Sequence, residues 1–554
     1  MIGYLKIFRL VGRFRVFFPA VLCLAVVALC AGRSDAGPRE NMLNWSTATK
    51  LEYISPYFDF RPETRVFSHL IWDRLFYREP NSPVFKPHLA TKLTWSGITT
   101  VEIELRKDVV FHNGDRFSAD DIVEMVRRLK DPKRGTPRHR AIKWIAGIEK
   151  LSSHRVRFDL VQPTPHLMEI LSGPFIIIPQ AVWRAVPMDG NGEPDYTRIP
   201  PVGSGPYRVS RIVPGLNVEL ERFPRYHKGP KGRPAIGRIQ FVTVSDPHER
   251  REQLLDGRID WLGKLSKEAF ERMGREGVPL QLTQFPSMRI AFLVMDGAGR
   301  NNKKSPFRDV RVRRAIAHAI NRPEIARNVF GATSKVMHSL CYPKQAGCEQ
   351  DVRRYEYNPD KARKLLRAAG YGPADNYRFV DRPNNLAEYH PGESVDKTKR
   401  LRSIIADIVS YRNHPASEDM TLYLKAIGID SSIDAYGSFE KAQLRLRRNG
   451  FDLAHMTWAS HGALDVAEIL NPLFRNGTLD YCRDRELNRW LDVGANSNNA
   501  KARTRAYSNA FKRLHEIACV VPLFNYTTFY AYSRHLDFQP TLDDIPRFYR
   551  AKWK

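Results

Sequence analysis

The sequence predicts an α/β protein of at least two lobes, and three observations carry that reading. Its 554 residues exceed the ~250–300 at which one hydrophobic core stops growing. Strand and helix patterns alternate from end to end, as expected of mixed α/β lobes. Hydrophobic residues at 42% and charged ones at 27% are ordinary for a folded chain, and no low-complexity tract, collagen period or heptad run replaces the globular pattern.

The first element is a leader. Lys6, Arg9, Arg13 and Arg15 form a basic start, and Val16–Ala31 follows without a charge. Ser34-Asp-Ala36 then offers small residues at the −3 and −1 positions of a signal-peptidase site, so cleavage is expected after Ala36, with Sec export to a periplasm. The alternative is an uncleaved anchor. Removing Cys23 and Cys30 with the leader leaves Cys341, Cys348, Cys482 and Cys519, an even set suited to an oxidising compartment. The loop Cys341-Tyr-Pro-Lys-Gln-Ala-Gly-Cys348 can close locally. Cys482 and Cys519 are the remaining pair, either bridged or buried as free thiols. No C-x2-C spacing or nearby His pair suggests zinc.

Further elements follow from local chemistry. Val101–Leu105 alternates apolar and polar residues, and Asn113-Gly114 supplies a turn. Ser118-Ala-Asp-Asp121 reads as a capping box for a helix whose apolar face is Ile122, Val123, Val126 and Leu129, stopping at Pro132. Asp246-Pro247 opens a helix that ends at Gly257, and Ile259-Asp-Trp261 reads as a short strand. Phe307–Phe330 reads as two helices, the second restarting at Pro323, and Asn358-Pro359 caps a third that ends at Gly370. Residues 376–408, polar with Pro383, Pro391 and Gly392, read as a surface insertion or flap.

The outlying quantity is charge: 88 Lys+Arg against 60 Asp+Glu give +28, of which the leader accounts for only +4, leaving +24. That bears on partners rather than on fold. The densest clusters, Arg311-Val-Arg313-Arg314 and Arg445-Leu-Arg447-Arg448, lie in helical patterns with apolar opposite faces and read as solvated helix surfaces. With export, they exclude nucleic acid as the partner. The sequence lacks a G-x-S-x-G elbow, a Walker A loop and an H-E-x-x-H helix, so specific enzyme signals are missing and no cofactor is called for.

Several segments in one order then point to a family. Pro87-His-Leu-Ala90 with Trp95 comes first, then Leu105-Arg-Lys-Asp-Val-Val-Phe-His-Asn-Gly114 through Asp121, and Pro201-Val-Gly-Ser-Gly-Pro-Tyr207 followed by Tyr226. Phe307-Arg-Asp-Val-Arg-Val-Arg-Arg-Ala315 with Asn321-Arg322, and Tyr357-Asn-Pro-Asp-Lys-Ala362 with Ala369-Gly-Tyr371, complete the set. Together they resemble the bacterial extracellular solute-binding proteins of dipeptide, oligopeptide and nickel ABC importers. The resemblance implies a two-lobed, type II periplasmic-binding-protein-like fold: lobe I from 37–290 plus 524–554, lobe II from 291–523, with crossings near Arg289–Met295 and Val520–Asn525. It also implies a monomeric receptor that hands a solute to a permease heterodimer and ATPase subunits in the inner membrane.

Site residues carried over from the resemblance are Arg61, Arg412, Trp458, Ser460, His461 and Asp465. Tyr411-Arg412-Asn-His-Pro415 resembles the segment whose arginine grips a peptide carboxylate, a task suited to a planar guanidinium fork. Trp458 resembles the cleft wall, or is a core tryptophan. After it, dipeptide binders offer an aspartate to the ligand ammonium; this chain has Ala459-Ser460-His461-Gly462, with Asp465 four residues on. Arg61, Arg412 and the overall charge favour a carboxylated or anionic solute, peptide-like or opine-like. Two other readings remain at this stage: a secreted hydrolase of anionic polymers and a basic protein of envelope surfaces.

Overall fold

The computed structural model describes residues 40–59, 61–131, 141–191, 194–371, 377–379, 389–391, 404–410, 415–436, 439–448 and 451–554. The leader, Arg412 and most of 376–408 lie outside these. No helix among the described residues is long and apolar enough to cross a membrane.

A ten-stranded mixed sheet runs through the molecule. In chain order its strands are β1 (Met42–Thr47), β2 (Tyr207–Val213), β3 (Asn217–Arg222), β4 (Arg238–Thr243), β5 (Trp261–Leu265), β6 (Leu280–Met295), β7 (Ile404–Ser410), β8 (Ile429–Ala435), β9 (Leu453–Trp458) and β10 (Val520–Ser533). In space they run β8-β7-β9-β6-β10-β5-β1-β4-β3-β2. β6 and β10 are 16 and 14 residues long, more than twice a typical strand, because each serves both halves of the molecule. The first half of β6 pairs antiparallel with Thr527–Ser533 of β10, which itself pairs with β5. The second half, from Ile290, pairs with Val520–Asn525 and with β9. Between Pro286 and Ile290 the register breaks, at a proline that has no N–H to give the ladder. These two strands are the pair of crossings expected of the fold.

Each half has its own core. In the second, β6 alternates: Ala291, Leu293 and Met295 join one cluster with Val312, Ile316, Leu366 and Met420, while Phe292 and Val294 join another with Leu470, Leu491, Phe511 and Leu514. Helices therefore cover both faces, and the strand reads as one continuous apolar run. In the first half a four-stranded sheet, Ala90–Trp95, Thr100–Leu105, Arg155–Leu160 and Ile145–Ser152, packs Val101, Ile103, Val156 and Phe158 onto the helix Ala119–Lys130. That helix buries Ile122, Val126 and Leu129 as its spacing predicts, with Met125 in place of the half-buried Val123.

The predicted caps form. Ser118 and Asp121 make the reciprocal capping box, Asp246 accepts from the N–H groups of His248 and Glu249 at 2.6 and 3.0 Å, and Asn358 caps Pro359–Ala368. Gly203 and Gly205 lie against the last carbonyls of the helix Pro62–Ile71, where Gly205 N–H donates to Ile71 O at 2.8 Å. A Cβ at Gly203 would fall 2.1 Å from Ile71 O, and one at Gly205 2.4 Å from Leu70 O.

Two expectations change. The strand read at Ile259-Asp-Trp261 begins only at Trp261, because Asp260 turns its N–H to Asn44 O and its carboxylate to Asn44 N. Residues 404–408, read as the end of an insertion, are the start of β7: Ile404, Ile405 and Ile408 belong to a strand parallel to β8. Two bridges, Cys341–Cys348 and Cys482–Cys519, have Cα–Cα separations of 5.6 and 5.7 Å.

Candidate functional site

Cations gather where the halves meet. Arg65 stands on the helix Pro62–Ile71, Lys264 on β5 and Arg289 in the register break of β6. Their charges act on one another: burial and Arg289 lower the pKa of Arg65, and burial, then Arg65, lower that of Lys264. Among the described residues Arg65 and Lys264 make no side-chain hydrogen bond or ion pair, and Arg289 has only a 3.4 Å contact to Thr457 Oγ1. Lys264 is exposed to solvent, while the protein around it still lowers its pKa, as for a side chain at the wall of a cleft. The carboxylates of Asp543 and Asp544 offset this lowering only in part for Arg65, and those of Asp544 and Glu63 only in part for Lys264, so both stay lowered and a further anion here would be favoured.

The backbone is bent to place these groups. Lys264 has φ 59° at a bulge in the β5–β10 register between Gly263 and Leu265. Bulges redirect side chains near functional sites, and positive φ in a lysine is itself uncommon. Asp544 (φ 58°) and Ser460 (φ 46°) share that conformation at the same junction. Asp544 is fixed by Ser287 Oγ of β6 at 2.7 Å and Thr528 Oγ1 of β10 at 2.6 Å. Burial alone would raise the Asp543 carboxyl, but Arg547 and Arg78 outweigh it and hold its pKa below the ordinary value. A Cβ at Gly462 would lie 3.2 Å from that of Asp543, so the second half reaches this wall directly.

Other contacts hold the halves together. Glu169 accepts from Leu464 N–H at 3.0 Å and pairs with Arg78 at 3.5 Å, and Arg78 also donates to Gly462 O. Glu169→Ala removes the acceptor of Leu464 N–H, a bond that joins the two halves. It is expected to weaken solute binding several-fold, about 1 kcal/mol, because that bond exists only when the halves touch. Calorimetric titration of the variant measures this; an unchanged affinity would remove the bond from the closure balance.

The residues expected from the sequence fall differently. Arg61 is spent on Asp59 at 2.7 Å and on the carbonyls of Lys50 and Tyr53. Asp465 is buried, ion-paired with Arg503 at 2.6 Å, and accepts from Ala467 N–H at 2.8 Å. Ser460 is buried and receives a hydrogen bond from Gln345 Nε2 at 2.9 Å. Trp458 is half-buried against the second-half core, and its Nε1 donates to Glu468 O at 2.8 Å. His461 lies in the turn Ser460–Gly462, its side chain outside the described ones, as is Arg412. Arg65, Lys264, Arg289 and Asp544 were not singled out from sequence; the Asn-free, Gly-preceded turn at Lys264 carries no local signal.

The sequence model described as bacterial extracellular solute-binding proteins, family 5 middle, matches residues 84–480. The chain belongs to this family. This family 5 solute-binding protein is 28% identical over 337 residues to di/tripeptide-binding protein 2 of Pseudomonas aeruginosa (strain UCBPP-PA14), 58% of this chain and 60% of that one. It is 25% identical over 493 residues to the probable di/tripeptide-binding protein 5 of the same strain, 84% of this chain and 86% of that one. The crystal structure of the ABC transporter substrate-binding protein CtaP from Listeria monocytogenes shares its fold, with a TM-score of 0.76 at 18% identity over 94% of this chain and 100% of that chain. These matches give no support to a hydrolase or an envelope-surface protein.

Proposed function

We propose that the protein is the periplasmic receptor of an ABC importer that closes on a small carboxylated solute, of di- or tripeptide size, and releases it unaltered to a permease pair and its ATPases. The observation that carries the ligand class is the convergence of Arg65, Lys264 and Arg289 with almost no protein partners. A guanidinium pair and an ammonium suit a carboxylate, which takes several charge-assisted donors. A solute ammonium would meet Asp544, which lies near Arg65 and Lys264, rather than Asp465, which is committed to Arg503. Residues 37–290 with 524–554, and 291–523, are the two proposed moving bodies, turning at the breaks in β6 and β10. Closure is driven by contacts the solute makes only when both bodies reach it.

Mass spectrometry of small molecules released on denaturing protein purified from its native periplasm tests the reading. An acidic small molecule in near-stoichiometric amount, which then compacts the apo protein in small-angle scattering, is the expected result. Scattering that stays the same with that molecule, or recovery of a chemically changed one, defeats it.

A further inference from the structure

Away from the cleft, three segments of the first half meet at one buried carboxylate. Asp73 follows the helix Pro62–Ile71, His88 precedes the strand Ala90–Trp95, and His227 lies beyond β3. Their side chains are at most 1% exposed. His227 Nε2 is hydrogen-bonded to Asp73 Oδ2 at 2.9 Å. His88 Nε2 is 2.9 Å from Asp73 Oδ1, at ion-pair distance, while among the described residues His88 Nδ1 and His227 Nδ1 have no hydrogen-bond partner. Each buried polar group left unmade costs ~1–3 kcal/mol. Gly229 is pressed against both rings, and a Cβ there would lie 3.0 Å from His227 Nδ1 and 3.1 Å from His88 Nδ1.

We infer that Asp73, His88 and His227 form a site for a divalent cation of the zinc class, separate from the solute cleft. One donor atom from each lies within 4.8 Å of the other two. Ligands of a tetrahedral ion with bonds of ~2.0–2.1 Å stand roughly 3.3 Å apart, so small ring rotations complete the set. Two imidazoles and a carboxylate suit zinc and its neighbours, whereas calcium and magnesium take oxygen. Lys231 Nζ donates to Asp73 Oδ1 at 2.6 Å, to His69 O at 2.8 Å and to Trp72 O at 3.2 Å, which fixes the carboxylate from outside, as ligating carboxylates usually are. Its charge also opposes a second cation, so binding is moderate rather than tight. A surface pocket of about 420 Å³ lies beyond Gly229 and Lys231, and its lining does not include the three ligands.

The test titrates the chelator-stripped full chain with Zn2+ by calorimetry and with Co2+ by visible absorption. One equivalent is expected, with the absorption bands of a tetrahedral cobalt site. His88→Asn and His227→Asn should each weaken Zn2+ at least tenfold, and Lys231→Met, which removes the opposing charge, should tighten it. No saturable Zn2+ binding, or stoichiometry and affinity unchanged in both histidine variants, overturns the site. Should those variants fail to fold, anomalous diffraction at the zinc edge from wild-type crystals decides: density between His88 and His227 supports it, and density only elsewhere refutes it.

Discussion

Arg65→Met is expected to lower affinity for the carboxylated solute about 10- to 100-fold, the effect of losing one charged hydrogen-bonding partner worth ~1.5–3 kcal/mol. Methionine keeps the apolar stem and removes only the guanidinium. That guanidinium has no hydrogen-bond partner among the described residues, and burial and Arg289 outweigh the nearby Asp543 and Asp544, so its removal relieves a net cost in the free protein. The melting temperature of the apo variant should therefore hold or rise while affinity falls, a divergence that a structural arginine would not give. Calorimetry and thermal melting on one preparation check both. Unchanged affinity rejects Arg65 as a contact, and Arg289→Met offers the same reading from the register break of β6. The Lys264 ammonium adds a pH signature. Burial and Arg65 depress its pKa, and a bound anion favours its charged form. Solute binding should thus take up protons at alkaline pH and weaken as pH rises.

The second large effect is on folding. Gly205→Ala would place a methyl 2.4 Å from Leu70 O and 2.5 Å from the carbonyl carbon of Ile71. Backbone cannot swing aside as a side chain can, so the Gly205 N–H to Ile71 O bond of 2.8 Å must open as well. The cost exceeds the ~1–3 kcal/mol of ordinary overpacking, and urea unfolding should report a loss of about 3 kcal/mol or more, or no soluble protein. Gly190→Ala, which meets nothing within 4 Å, is the control. Equal stability of the two variants would show that the helix end is free to yield.

Local chemistry was readable from the chain and long-range geometry was not. Ser118 with Asp121, Asp246 and Asn358 each act on N–H groups within three residues, so their types and spacing suffice. The family motifs also carried the lobed architecture, because they are the turns and caps that build it. The site needed more. Lys264 points as it does because of a bulge defined by β10 across the sheet, and Asp544 is placed by hydroxyls from residues 287 and 528. Arg65 sits on an amphipathic helix like many other arginines in a chain with 88 Lys+Arg. Asp465 shows the reverse case: singled out by resemblance, it is ion-paired with Arg503, which is 38 residues away. Likewise His88 and His227 are 139 residues apart in sequence and meet at Asp73.

The stretch where β6 loses its pairing contains Ser287 and Arg289. Ser287 holds Asp544, and the charge of Arg289 acts on Arg65. In the proposed receptor, a charge arriving in the pocket would act on the very residues about which the two bodies turn. Cargo recognition and shutting would then need no relay of intervening side chains: the handle would be mounted on the hinge pin.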